Sequence, residues 1–376
     1  MTRVNEACYT LLVCTGTGCL AGGADRLLAG LEEEVRPLGR GGRLRVKQTG
    51  CHGLCQQGPS IIVEPGGFFC ARVAPGDVPE IVAALASGTG PPERLLFRHD
   101  GSGAAVSWSE IPFFSRQERA LLSRCGLVDP ENINEYLATD GYRALAAVLD
   151  RGDREEVIAE IKRSGLRGLG GAGLPAGRKW EACYRAPGAE KFVICNGDEG
   201  DPGAFQDRAV MESDPFAILE GMTIAGYAVG ASKGYIYVRA EYPLAVKRLQ
   251  LAIEQARQRG FLGRHILDRD FSFDIEVFQG AGAFVCGEST ALVSSIEGNR
   301  GFPRPLPRPR TTESGLWGRP TLLNNVKTFA YVPRIILHGA AWFATRGTEK
   351  SKGTAVFSLT GKVANCGLIE VPMGTT

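Results

Sequence analysis

Four cysteines and two glycine-crowded turns hold the chemistry-bearing residues of this sequence. The cysteines come as two pairs, Cys14 with Cys19 and Cys51 with Cys55. The first pair follows the apolar run Tyr9–Val13, and the second lies in the turn-rich stretch Thr49–Pro59. Four thiolates on two loops suit zinc or an iron–sulfur cluster. Structural zinc prefers two-residue spacers, and neither pair has one. The first glycine stretch runs from Gly165 to Gly177, with Lys179 just beyond. Lacking Cβ atoms, such a stretch can press its N–H groups against a phosphate. Gly168, Gly170 and Gly173 also spell G-x-G-x-x-G, a Rossmann fingerprint that must follow a strand. Val157, Ile158 and Ile161 instead recur at helical spacing, so the pattern predicts a helix capped by Gly165. That removes the Rossmann reading and keeps the phosphate cradle.

Two further stretches extend the pattern. Lys191–Cys195 reads as a strand running into Asn196-Gly-Asp-Glu-Gly-Asp201. Carboxylates crowded at a strand's C-terminal end could hold Mg2+ or Ca2+, or hydrogen-bond ribityl or ribose hydroxyls. Asp274–Phe278 reads as a strand leading to the second glycine turn, Gly280–Ser289, with a helix from Thr290. A strand, a glycine turn and a helix start make a second anion-friendly site.

The elements that must position these residues follow from periodicity. Leu27–Val35 and Val78–Leu85 read as helices, Tyr9–Val13 and Ser60–Val63 as strands, with a short strand before the second cysteine pair. Residues 89–118 sustain no period and are rich in Gly, Pro and Ser, which predicts a connector. Beyond it, Ala217–Val229 and Leu244–Arg259 read as helices and Gly234–Arg239 as a strand, giving an α/β core. At 376 residues, two or three domains are expected. A net charge of +2 implies no bulk attraction to nucleic acid. No apolar run has transmembrane length and the N-terminus lacks a signal-peptide core, so a soluble, cytoplasmic protein is expected. In that setting eleven cysteines read as ligands or buried thiols rather than disulfides.

Five segments occur in family order: Gly165–Trp180, Ile194–Glu199, Tyr235–Tyr242, Gly280–Glu288 and Gly318–Thr328. With the four cysteines, they resemble the NADH-oxidising FMN subunit family of respiratory complex I. The resemblance is to the fused forms that carry a thioredoxin-like [2Fe–2S] ferredoxin on the same chain. Such forms occur in NAD(P)-linked formate dehydrogenases and in NAD(P)-reducing or electron-bifurcating hydrogenases. The resemblance implies a thioredoxin-like [2Fe–2S] domain at 1–88, a linker at 89–118, an FMN- and NAD(P)-binding α/β domain at 119–345 and the start of a β-grasp domain at 346–376. It implies Cys14, Cys19, Cys51 and Cys55 as cluster ligands. The FMN phosphate falls to Gly168, Gly170, Gly171, Gly173 and Lys179. Asn196, Asp198 and Glu199 meet the ribityl and isoalloxazine, Gly287 and Glu288 line the flavin face, and Asn324, Asn325 and Thr328 close the site. Asp201, Phe284 and Ser289 join the cofactor-binding positions. No side chain is implied as a catalytic acid or base. A [4Fe–4S] site is expected only in a C-terminal part beyond this sequence. The implied partners are iron–sulfur or catalytic subunits of a redox complex, with a small thioredoxin-like ferredoxin subunit among them, and neither nucleic acid nor membrane.

Several positions depart from the family pattern. Leu174 and Ala182 stand where the family has aromatic residues, and the loop Phe302–Arg310 has no Phe at the matching place. Those aromatics stack on adenine, so a degenerate pocket on a non-catalytic electron-transfer or scaffold subunit is the alternative reading. Asp201 and Ser289 each replace a Glu. A serine does not repel a 2′-phosphate, and Arg308 or Arg310 could pair with one, which points to NADP(H) alone or beside NAD(H).

Overall fold

The computed structural model describes residues 8–38, 44–99 and 107–376. The chain divides into two compact units, Met1–Asp129 with Phe357–Glu370, and Pro130–Val356 with Val371–Thr376.

In the first unit, β1 (Tyr9–Cys14) is followed by α1 (Thr17–Ala21) and α2 (Ala24–Val35), then β2 (Leu44–Thr49), β3 (Ile61–Glu64), β4 (Phe68–Cys70) and α3 (Val78–Ala86). β1 lies between β2, its parallel neighbour, and β3, its antiparallel one, in the order β2-β1-β3-β4. Alternate residues serve opposite faces of the sheet. Leu11, Val13, Ile61 and Val63 bury against Leu27 and Leu31 of α2 and Val78, Ile81 and Leu85 of α3. The other parity, Leu12, Ile62 and Phe69, packs with Leu54, Ile111 and Phe114. Phe114 belongs to α4 (Pro112–Ser115), inside the expected connector. The stretch lacks a period because it covers the sheet with a few large anchors rather than with a long amphipathic element. The contact boundary accordingly falls after Asp129, later than the composition shift suggests.

The second unit opens with four helices, α5 (Ile133–Ala138), α6 (Arg143–Arg151), α7 (Arg154–Ser164) and α8 (Ala176–Arg185). Asp153 caps α7 by accepting from Glu156 N at 3.0 Å, and Gly165 ends it in the left-handed conformation. A helix therefore leads into the glycine stretch. Then come β5 (Phe192–Gly197), α9 (Gln206–Ser213), α10 (Pro215–Val229), β6 (Lys233–Arg239), α11 (Pro243–Gln258), β7 (Asp274–Gly280), α12 (Ser289–Ile296), β8 (Thr321–Asn325), α13 (Val326–His338) and α14 (Ala340–Ala344). The four strands form one parallel sheet in the order β7-β6-β5-β8. Every residue of α10 is buried, as a sequence apolar except at Glu220 and Thr223 requires, and Glu220 accepts from Tyr136 Oη, Tyr142 N and Leu145 N. β9 (Thr354–Leu359) and β10 (Gly367–Pro372) make a two-stranded sheet where a β-grasp domain was expected to begin. No described helix is long and apolar enough to cross a membrane.

α10 and α13 approach closely at Gly221, where a Cβ would come 2.0 Å from the Phe329 carbonyl oxygen. Gly221→Ala should therefore force the helices apart and cost about 1–3 kcal/mol of stability, read by denaturant unfolding.

Candidate functional site

Two strand ends build the first site. β1 and β2 run parallel with Cys14 opposite Thr49, so the segments following both strands leave the sheet at one edge. Thr15 N and Thr15 Oγ1 donate to the Thr49 carbonyl at 3.0 and 2.9 Å, tying those ends together. Cys14 closes β1, Cys19 lies in α1, and Cys51 and Cys55 follow β2. His52 is buried between Thr49 Oγ1 (3.1 Å) and Ser60 Oγ (2.9 Å). Burial holds its imidazole below the ordinary range, so it is a neutral brace of the loop rather than a ligand.

The four thiols form a chain of contacts. Cys14 bonds to both Cys19 and Cys51, and Cys51 Sγ lies 3.6 Å from Cys55 Sγ. The bonds from Cys19 and Cys51 hold the Cys14 thiol well below its ordinary range, and the same bonds push Cys19 and Cys51 up. Sulfurs this close cannot all ionise without positive charge among them. Among the described residues no three His, Cys, Asp or Glu side chains form a single-ion site. A methyl group at Gly58 would sit 2.7 Å from Cys19 Sγ, so glycine there makes room for the sulfur. An all-thiol donor set in a glycine-lined hollow suits an iron–sulfur cluster.

The second site follows from strand order. Connections leave β5 toward β6 on one side, while β8 returns to its other side. Ligands of open parallel sheets bind outside the C-terminal ends of the strands at such a switch. There Cys195 lies opposite Asn324 and Asn196 opposite Asn325. Three cavities of about 240, 680 and 480 Å3 adjoin at this edge through shared lining residues.

The smallest cavity gathers Gly168, Gly170, Gly173, Lys179, Asn196, Gly287, Glu288, Ser289, Asn324 and Asn325. The glycine loop arches over it, closed by Gly168 N donating to Leu174 O (2.8 Å) and Leu169 N to Thr328 Oγ1 (3.0 Å). Thr328 thus braces the loop from beneath. Gly171, at φ +109°, needs glycine for its backbone, and a Cβ on Gly170 would crowd Asn325 at 3.1 Å. Among the described residues the amides of Gly170, Gly171 and Gly173 have no protein acceptor, as an anion cradle requires. Lys179 Nζ donates to the Leu323 carbonyl at 2.6 Å, and burial lowers its pKa. Asn324, with its amide oriented to satisfy both neighbours, accepts from Trp180 Nε1 (2.9 Å) and donates to Leu323 O (3.1 Å).

Gly171, Asp198, Glu199, Asp201 and Phe284 line the 680 Å3 cavity. Asn196 shapes the elbow, accepting from Asp198 N and donating to Gly287 O, both at 3.0 Å. Among the described residues Asp198 Oδ2 is buried without a hydrogen-bond partner, and burial pushes its carboxyl up to about 6. An orphaned acid in a sheet-end cavity marks a place for a polar ligand. Glu199 is spent elsewhere: it accepts from Gln206 N, Asp207 N and Arg208 N at 2.8–3.1 Å, holding the start of α9. That leaves Asp198 and Asp201 as the elbow's free carboxyls, too few for the oxygen cage a Ca2+ site needs.

The 480 Å3 cavity holds Leu174, Arg178, Ser289, Leu306, Arg308 and Arg310, and among the described residues no aromatic lines it. Ala182 does not line it. Arg308 is committed to Glu288, at 3.0 Å. Burial opposes ionisation of Glu288, but hydrogen bonds from Thr290 and Ala291, with the Arg308 charge, hold it below the ordinary range. Of the two arginines singled out in sequence, Arg310 alone keeps a side chain unpaired among the described residues. Arg178, which the sequence reading passed over, is the second unpaired cation among the described residues lining this cavity. Thr312 was also missed: its buried hydroxyl lines the cavity without a hydrogen-bond partner among the described residues. Arg178 sits one residue before Lys179 on an exposed helix face, a signal that could have found it.

Comparison with known proteins decides the family. Residues 161–334 match the Nuo51 FMN-binding domain, and residues 2–86 match the thioredoxin-like [2Fe–2S] ferredoxin. The chain belongs to the complex I FMN-subunit family, fused to such a ferredoxin. It is similar to the NADP-reducing hydrogenase subunit HndC of Solidesulfovibrio fructosivorans, 54% identical over 69% of this chain and 52% of that protein. It is also similar to the NAD-reducing hydrogenase HoxS subunit alpha of Cupriavidus necator, 38% identical over 87% of this chain and 52% of that one. The solved NAD+-reducing [NiFe]-hydrogenase in its H2-reduced state aligns with a TM-score of 0.59 and 29% identity, over 99% of this chain and 60% of that one. The chain therefore spans about half the length of these relatives.

Two outcomes follow for this FMN- and cluster-binding chain. Cys51→Ser should remove bound iron and acid-labile sulfide while leaving FMN occupancy intact, measured by metal and flavin analysis. Asp198 titrates higher folded than unfolded, so its ionisation weakens the fold as pH rises through about 6. In FMN-free protein Asp198→Asn should stabilise by about 1 kcal/mol at pH 7, after discounting for solvent screening. The gain should vanish below about pH 4, the ordinary Asp range, when melting is compared across pH.

Proposed function

We propose that this chain is the FMN- and [2Fe–2S]-bearing diaphorase part of a multi-subunit redox complex. It exchanges hydride between NAD(P) and FMN and single electrons between FMN and iron–sulfur centres. The observation that supports this is the run of three adjoining cavities, in which a glycine-lined hollow shares walls with a carboxyl-lined chamber on one side and a cation-rimmed one on the other. Bound FMN supplies the chemistry, accepting two electrons as hydride and passing them on singly.

The chain's own residues do the positioning. The amides of Gly170, Gly171 and Gly173, with Lys179, hold the phosphate. Asp198 would meet the ribityl or ring, Asn196 and Asn325 would hold the walls around it through their own hydrogen bonds, and Gly287 would leave room for close approach. The Arg308–Glu288 pair cancels the charge that would repel a second, anionic nucleotide at the shared wall of the cavities. Leu174 and Leu306 offer that nucleotide apolar contact in place of aromatic stacking. Ser289, with Arg178 and Arg310 unpaired, gives a 2′-phosphate two cations, and the one lining carboxylate, Glu288, is neutralised by Arg308, which favours NADP(H) beside NAD(H). The relatives named as hydrogenase subunits support companion catalytic and iron–sulfur subunits. The eleven cysteines, all free thiols with most of them buried or in the cluster loops, support a cytoplasmic setting.

Adding NADH or NADPH anaerobically to FMN-loaded protein should bleach the flavin absorbance. No bleaching with either, at full FMN occupancy, overturns the reading in favour of an electron-transfer or scaffold subunit with a degenerate pocket, the alternative that the missing aromatics favour. Replacing both Arg178 and Arg310 with Ala should raise KM for NADPH about tenfold, an effect of about 1.4 kcal/mol, and leave that for NADH within about twofold.

A further inference from the structure

A segment far along the chain is stitched to the cluster loop. Residues 357–370 belong to the first unit. Within them, Leu368 N donates to Gly53 O at 2.7 Å, and Gln56 N donates to Cys366 O at 3.2 Å. Cys366 N completes the ladder by donating to Gln56 Oε1 at 2.9 Å. Gly53 and Gln56 both lie in the loop that carries Cys51 and Cys55. The fit is close enough to require glycine on both sides. A Cβ at Gly367 would lie 2.1 Å from Gly53 O, and one at Gly53 would lie 3.1 Å from Leu368 O. Gly53 also takes φ +110°, where other residues are strained.

The other end of the segment is anchored just as firmly. Glu370 is fully buried, and its carboxylate accepts from Leu121 N and Leu122 N, both at 2.9 Å. Glu370 N donates to Gln117 Oε1 at 3.0 Å, and Glu118 N donates to Glu370 O at 3.1 Å. The segment is thus pinned between the cluster loop and residues 117–122. It does not merely cover apolar surface.

We propose that Cys366–Glu370 is a positioning strap for the cluster loop, with Gly367 and Gln56 setting the electrostatics around Cys55. The reasoning rests on the polar groups it occupies. Gly53 O lies 3.6 Å from Cys55 Sγ, and the strap turns that carbonyl toward Leu368 N. It likewise directs Gln56 N–H, the next donor along the loop, to Cys366 O. Dipoles this near a cluster sulfur set its reduction potential and spectrum. With the strap displaced, the Gly53 carbonyl loses its Leu368 donor and the Gln56 amide its Cys366 acceptor, so both dipoles are free to reorient beside the sulfur.

The inference rests on the [2Fe–2S] reading, and iron and sulfide analysis of the unaltered chain checks that reading separately. The test is an EPR-monitored redox titration of the whole chain carrying Gly367→Val, and independently Gln56→Ala, a mild change at an exposed side chain. Both should retain iron, sulfide and FMN yet shift the midpoint potential and g-values of the [2Fe–2S] signal. The larger shift is expected in Gly367→Val, and Gly367→Ala should fall between it and the unaltered protein. FMN content and reduction of the flavin by pyridine nucleotide should stay unchanged. An unaltered potential and spectrum in Gln56→Ala and in folded Gly367→Val overturns the proposal. If Gly367→Val does not fold, Gln56→Ala alone decides.

Discussion

The cavity region depends on one buried carboxylate, Asp207. Its two oxygens take Lys327 Nζ at 2.5 Å and Asn325 Nδ2 at 2.6 Å, and both side chains of the ion pair are more than nine-tenths buried. Asp207 stands in the first turn of α9, whose leading N–H groups are taken by Glu199, while Asn325 caps α13 by accepting from Lys327 N. One knot therefore fixes the acidic elbow, the end of β8 and the start of two helices. Removing one partner of such a pair leaves a buried charge uncompensated, at about 3–5 kcal/mol. The knot is better read as specifying geometry than as adding stability, because a well-packed apolar replacement often does as well energetically.

Around that knot the charges are sorted. Glu199 and Glu288 each satisfy a helix N-terminus, where the backbone dipoles favour anions. Neither is left to oppose an incoming phosphate. The positive ends that remain are the glycine amides and Lys179. The first unit solves a related problem with sulfur. Its thiols cluster because two parallel strands end side by side, and a neutral histidine holds the second loop without adding charge.

Much of this was legible in the residues. Helical periodicity and a capping glycine were enough to place a helix before the glycine stretch, and strand-to-turn transitions located both cradle and elbow. The two cysteine pairs announced their chemistry by type and spacing. What was hidden depends on contacts distant in sequence. Glu199 reads as a ligand because its donors, three amides of α9, reach it only through the fold of 200–205. Arg308 reads as available because its partner Glu288 lies across a proline-rich loop. Ile111 and Phe114 read as linker because burial there follows shape rather than period. Nothing near Cys366 hints that its neighbours pair with Gly53, hundreds of residues earlier.

The strand order also has a consequence in time. Asp207 and Asn325 are 118 positions apart, and Asn196 finds its neighbour Asn325 only when β8 inserts beside β5. Long-range pairings of this kind close slowly. Until β8 has been made and docked, the glycine loop has no Thr328 beneath it and the elbow has no opposite wall. The cluster loops, by contrast, share a sheet that needs only the first seventy residues or so. During synthesis the four cysteines can be brought together while the phosphate cradle is still an open stretch of glycine, but the strap at Cys366–Glu370 that pins the second cysteine loop arrives after both.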